Sequence, residues 1–242
     1  MINYTTEQLV KRWEDYNEIE NIMGRLTYNE IVKKSDYIWD TFWCKNMPDP
    51  CLGFNNGYYK GYDAIGEYYS ALKDLDIIKA KVAQKIHPEE LGSVAPEDIR
   101  GVGGINVLNF TTPVIELAAD GKTAKGMWYL MGGSGDFYTE EGPRGTNRWG
   151  RVAVDFIRED TGWKIWHMLV VLDIDSKMGT SWAAPASKII DPAYKEIAEF
   201  SMPAPNVPQN VYELYHNRRR IKAFPKVPKP YDAFSKTFSY GI

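Results

Sequence analysis

Few side chains in this chain of 242 residues suit proton chemistry near neutral pH, and two of them fall on neighbouring apolar runs. His167 lies in the run Trp163 to Asp173, and Asp155 lies in the run Arg148 to Arg158 just before it. An imidazole both accepts and donates a proton near pH 7, so His167 is the leading general acid or base. Both runs are rich in β-branched and aromatic residues and are joined by the acidic turn 159–162, which ends in Gly. That pattern predicts a hairpin. In it Asp155 pairs near Ile165 to His167, where a carboxylate would orient the imidazole and raise its pKa. The alternative for Asp155 is an ion pair with Arg151 or Lys164. Strict alternation would put Trp163, Ile165, His167 and Leu169 on one sheet face.

Further candidates are more scattered. Tyr28 offers a hydroxyl able to polarise a substrate carbonyl, or else packs at a cavity edge. Tyr59 and Tyr129 offer the same in weaker form. Arg151 suits bidentate capture of a carboxylate. Lys33 is a solvated helical cation unless it faces a cavity. His87 begins a polar, Gly- and Pro-rich segment, 87–104, that reads as a loop able to act as a lid. His216 sits in the tail, where a structural role is expected.

Other chemistries find no pattern. Three separated His and two Cys (Cys44 and Cys51) give no zinc spacing. The two thiols are expected to be reduced. Gly101-Val102-Gly103-Gly104 has no strand–turn–helix around it, so it is no dinucleotide fingerprint, and Gly133-Ser134-Gly135 is no nucleophile elbow. No metal and no cofactor is expected. Net charge is −3, which argues against nucleic acid, and no apolar run approaches membrane-spanning length. The start of the sequence lacks a signal-peptide pattern, so a soluble cytoplasmic protein is expected.

These residues need elements to position them. Thr5 and Gln8 stand at capping-box spacing before a helical repeat that runs from Leu9 towards Lys34. Ser35 or Asp36 opens a short helix ending before Pro48-Asp49-Pro50. Residues 51–59 suggest a short strand bending at Asn56-Gly57, and Tyr62-Asp63 opens a third helix. Long strands follow: Ile105 to Leu117, with Pro113 marking an edge or a bulge; Thr123 to Met131 after the Asp120-Gly121 turn; a connection over 132–147; then the hairpin above. Helices followed by a curved antiparallel sheet read as α+β, with the sheet wrapped round the first helix to leave a cone. The aromatic content of 14% suits a broad core or a pocket for a flat apolar ligand.

From residue 176 the composition changes. Eight of fourteen prolines fall there, and ten Lys and Arg stand against five Asp and Glu, so the tail is net +5 and the body −8. Helices are expected over 191–200 and 209–224, with an extended end. The chain thus divides into a body, 1–175, and an extension, 176–242, that packs on the body or on a partner subunit.

The order of several motifs resembles the SnoaL-like polyketide cyclases of the nuclear transport factor 2-like superfamily. Gly150-Arg151, then Asp155, an acidic turn and Trp163-Lys164-Ile165 are similar to that family's last hairpin. Tyr28 and Asp36 match its helix spacing. Gly61-Tyr62-Asp63-Ala64-Ile65 matches its Gly-x-x-x-Ile, and residues 112–117 with 120–124 match its first long hairpin. The resemblance implies a cystatin-like α+β barrel with an open sheet face that forms a homodimer. It also implies a cofactor-independent lyase (dehydratase) or isomerase acting on a small apolar, cyclic or aromatic molecule, with Tyr28, Asp155 and His167 in the site. Two features depart from the pattern: Lys33 stands where dehydratases of the family place an Asp, and Leu108 and Asn109 stand where they place a His. The resemblance therefore also admits a non-catalytic binding protein or an assembly subunit.

Overall fold

The computed structural model describes residues 4–138, 142–182 and 194–242. Helix α1 (Thr6–Ile31) starts at the capping box: Gln8 N–H donates to Thr5 Oγ1, and Thr5 N–H donates to Gln8 Oε1. Ile19, Ile22, Met23 and Leu26 form its buried stripe. A left-handed turn at Lys33 (φ 59°) redirects the chain into α2 (Ser35–Phe42). Residues 51–60 form two strands rather than one bent strand: β1 (Cys51–Phe54) and β2 (Gly57–Lys60) pair as a tight hairpin. Helix α3 (Tyr62–Ile86) follows, and the segment expected to be loop begins with one helical turn, α4 (Pro88–Leu91).

Four long strands make the sheet: β3 (Gly104–Leu117), β4 (Thr123–Asp136), β5 (Arg144–Glu159) and β6 (Gly162–Lys177). The expected 132–147 connection is mostly strand, because β4 and β5 stay in register as far as Asp136 and Arg144. Strand β3 is both an edge and bulged at Pro113, with a register shift between Thr111 and Val114. The order is β3-β4-β5-β6-β1-β2-β7, where β7 is Val207–Pro208; β1 runs parallel to β6, and the remaining neighbours are antiparallel. The result is α+β, with a curved, unclosed sheet whose inner face packs on the N-terminal helices. The core joins Ile19, Met23 and Leu26 of α1 to Ile65 and Tyr69 of α3 and to Trp128, Val152, Val154, Phe156, Trp163 and Ile165 of the sheet.

Two bulges in β6 decide which side chains face the cone. Asp155 pairs with His167 and Phe156 with Ile165, so Trp166 is an extra residue. Alternation breaks there. Trp163 and Ile165 enter the inner core, while His167 and Leu169 point outward, which corrects the single face expected for all four. A second bulge at Asp173, between the Trp149–Ile174 and Gly150–Leu172 pairs, turns Asp175 back to the inner side.

Residues 211–240 of the extension lie on the outer face, whereas residues 194–198 pack on α3. Beyond the short helix α5 (Lys195–Ala198), residues 209–224 are irregular rather than helical. Residues 191–193 of the first expected helix lie outside the described residues. Sheet contacts replace helical ones: Val211 N–H donates to Asn55 O at 2.9 Å, and Tyr215 N–H to Asp173 O at 2.6 Å. Tyr212, Phe224, Phe238 and Tyr240 pack over Cys51, Tyr58, Ala153, Leu169 and Val171. Tyr129, Met131 and Trp149, on the outer face, stay about half exposed. Among the described residues no helix is long and apolar enough to cross a membrane.

Candidate functional site

The cone holds a cavity of about 300 Å³ between α1, α3, β1 and the inner faces of β3 to β6. Leu26, Leu52, Phe54, Leu108, Phe110, Leu130, Met168, Val170 and Leu172 make its walls apolar. Into this lining project Glu30, Tyr68, Tyr69, Asn106, Arg148 and Asp175.

Glu30 stands one turn after Leu26 on the inward stripe of α1. No described residue hydrogen-bonds its carboxylate. Burial raises its pKa to about 7, with Lys33 opposing and the Asp76 carboxylate adding to the effect. An unpaired carboxylate is poorly solvated between apolar walls, so the neutral acid persists to near neutral pH. Tyr68 and Tyr69 come from α3. Burial pushes both hydroxyls above their ordinary range, and the Glu30 charge pushes the same way, so both remain protonated donors. The Tyr69 hydroxyl also accepts the Trp43 indole N–H at 3.4 Å. Arg148 sits opposite Asp175 on the neighbouring strand, with one Nε–Oδ1 contact of 3.4 Å.

The sequence candidates fall elsewhere. His167 and Asp155 do meet, Nδ1 to Oδ2 at 2.9 Å, but on the outer face beneath the extension. Asp155 pairs with neither Arg151 nor Lys164. Its other oxygen takes Lys125 Nζ at 2.5 Å, and Oδ2 also accepts Ser239 Oγ–H at 2.9 Å and Tyr240 N–H at 2.8 Å. Burial alone would raise the Asp155 pKa, yet the His167 bond and the Lys125 charge outweigh it and hold it below the usual carboxylate range. The Lys125 ammonium faces the rings of Tyr231, Phe234, Phe238 and Tyr240 at 5.0–5.6 Å. Trp166 stacks on the imidazole at 4.4 Å.

Tyr28 is 73% exposed, because two residues along a helix from Leu26 is the wrong face. Tyr59 is a core residue whose hydroxyl donates to Pro203 O at 2.7 Å. Tyr129 and Asn109 are exposed. Arg151 points outward, bound to both Asp173 oxygens at 2.8 and 2.9 Å and to the Tyr212 hydroxyl at 2.7 Å. Lys33 faces Asp76 at 3.9 Å and does not line the cavity. His87 is exposed at the start of α4. His216 accepts the Arg218 N–H at 3.3 Å. Cys44 and Cys51 are free, buried thiols.

No family model matches the chain, and no curated protein matches it. Its fold is similar to several solved structures. An NTF2-like protein with a cystatin-like fold from Novosphingobium aromaticivorans is 15% identical, over 73% of this chain and 92% of that one, with a TM-score of 0.44. Hexachlorocyclohexane dehydrochlorinase LinA-type3 from Novosphingobium barchaimii is 11% identical, over 73% and 99%, with a TM-score of 0.47. The Kfla4162 protein from Kribbella flavida is 12% identical, over 68% and 95%, with a TM-score of 0.49. The likeness is one of chain path.

Glu30 had one legible signal. The apolar stripe Ile19, Ile22, Met23, Leu26 continues four residues on to position 30, and a carboxylate occupies that core-facing place.

Proposed function

We propose that the protein is a cofactor-independent lyase or isomerase that moves protons on a small apolar cyclic or aromatic molecule held in the cone. The observation that carries this reading is Glu30, a carboxyl group with a pKa of about 7 inside an apolar cavity. A group poised there acts as base in its ionised half and as acid in its neutral half at physiological pH. It would take a proton from carbon next to a carbonyl, and the Tyr68 hydroxyl would donate to the oxygen as charge develops. This places the acid–base role on Glu30 rather than on His167, Asp155 and Tyr28. A carrier protein could use the same walls, but it has no need of a titrating group among them, and Glu30 therefore favours catalysis. A homodimer remains part of the proposal, with the exposed outer strip at Tyr129, Met131 and Trp149 as the sheet surface available to it.

The test is deuterium exchange at the α-carbons of cyclic ketones such as 1-indanone and 2-tetralone, followed by NMR in D₂O. Wild type should accelerate exchange, and Glu30→Gln should lose roughly a hundredfold or more. Exchange that survives Glu30→Gln and disappears in His167→Gln would return the chemistry to the outer face.

A further inference from the structure

We propose that the cone cavity takes an organic anion, with a ligand carboxylate seated on the guanidinium of Arg148. The inference rests on reading the cone as the ligand site, and it goes further by assigning the charge of the ligand and the residue that selects it.

On strand β5, Arg148 and Arg151 lie on opposite faces, and they differ in what they hold. Outward-facing Arg151 is engaged: it bonds both Asp173 oxygens, the Tyr212 hydroxyl and Lys222 O. Arg148 lines the cavity and among the described residues has one polar contact, from Nε to Asp175 Oδ1 at 3.4 Å. Charge-assisted N–H···O bonds are usually about 2.7–2.9 Å, so this pair is loose. Neither terminal nitrogen of Arg148 bonds a described residue. A planar guanidinium with its fork unused is the group best shaped to take a carboxylate through two parallel bonds.

The remaining lining fits such a ligand. The Arg148 charge acts on the Tyr68 hydroxyl, so cation and hydroxyl donor serve one region of the cavity. Glu30, Tyr69 and Asn106 supply further polar positions, and apolar side chains fill the space between. An anion seated on Arg148 presents its apolar body to those walls. The volume of about 300 Å³ lies at the small end of ligand pockets, which suits one or two fused rings. Asp175 sets a limit: it pairs with Arg148 and repels a second negative charge, so a monocarboxylate is preferred over a dicarboxylate.

Calorimetric titration of the full chain at pH 6 tests this, using benzoate, 2-naphthoate and the methyl ester of each. Wild type should bind at least one acid roughly tenfold or more tighter than its ester, the range expected for a hydrogen bond to a charged group. Arg148→Gln should bring acid and ester within about twofold while still binding an ester measurably, which shows that the cavity is intact. Glu30→Gln should keep the preference for the acid. Equal binding of acid and ester by wild type, a preference that survives Arg148→Gln, or no binding of any of the four would overturn the proposal. The two readings fail separately. Ketone exchange untouched by Glu30→Gln removes the acid–base role and leaves the anion site standing, whereas loss of the acid preference leaves Glu30 unaffected.

Discussion

Replacing Glu30 with Gln should stabilise the protein at alkaline pH and do nearly nothing at acid pH. Gln keeps the size and shape of the neutral acid but has no charged form. The folded-state pKa of Glu30 is about 7, against 4.5 for an ordinary glutamate. Between those values the unfolded chain has lost the proton while the folded chain keeps it, so stability falls as pH rises through that window. Above about pH 7 the folded protein holds a poorly solvated carboxylate and the penalty is complete. The shift corresponds to about 3 kcal/mol at most. Water reaching the cavity mouth screens part of it, so we expect roughly 1–3 kcal/mol. Urea unfolding of wild type and Glu30→Gln at pH 4.5, 6 and 8.5 reads this directly, because every other titrating group cancels in the difference. The two proteins should coincide at pH 4.5 and separate by pH 8.5, with the variant more stable. A difference that is flat with pH, or a less stable variant at pH 8.5, would refute the claim that burial drives the shift, and the catalytic reading would lose its main support.

Three further outcomes follow from the outer face and the thiols. Asp155→Asn leaves the Lys125 ammonium buried without a counter-charge and should cost about 3–5 kcal/mol in denaturant unfolding, whereas Asp155→Asn combined with Lys125→Met should recover much of that loss. Asp155 is held below the usual carboxylate range, so its stabilising bonds are complete above the unfolded value near 3.8 and are lost as pH falls through the lower folded value; the protection of Tyr240 N–H, which donates to Asp155, from hydrogen exchange, taken relative to the intrinsic rate at each pH, should fall on acidification before that of Ala119 N–H, which donates to Tyr231 O. Burial pushes the Cys44 and Cys51 thiols up to about 12, so neither should react with an aromatic disulfide reagent at pH 7.5 until the protein is unfolded.

Much of the fold was legible because its signals are local. The Thr5–Gln8 capping box, the helical stripe of α1, the Asp120-Gly121 turn and the Gly162 hairpin all act within a few residues, and each appears where its pattern stands. Pro113 was legible for the same reason, since a residue without an N–H cannot continue a paired strand. The apolar spacing of residues 209–224 suits a helix as well as a chain laid on a sheet, and these residues are irregular chain on the sheet. What decides between them is an acceptor far away in sequence, such as Asn55 O or Asp173 O.

The sequence by itself determined the α+β order of elements and the hairpin register that sets Asp155 opposite His167, both matters of periodicity or pairing, while it left open whether Asp155 bonds His167 or a cation. Tertiary structure alone decided which face that pair occupies. One extra residue at Trp166 turns His167 away from the cone, and a second at Asp173 turns Asp175 towards it, because side chains in a strand alternate and a single insertion reverses every later one. The same holds for the proposed site. Glu30, Tyr68 and Arg148 come from a helix, a second helix and a strand, and only the wrapping of the sheet around α1 brings an ordinary glutamate into surroundings dry enough to change its chemistry.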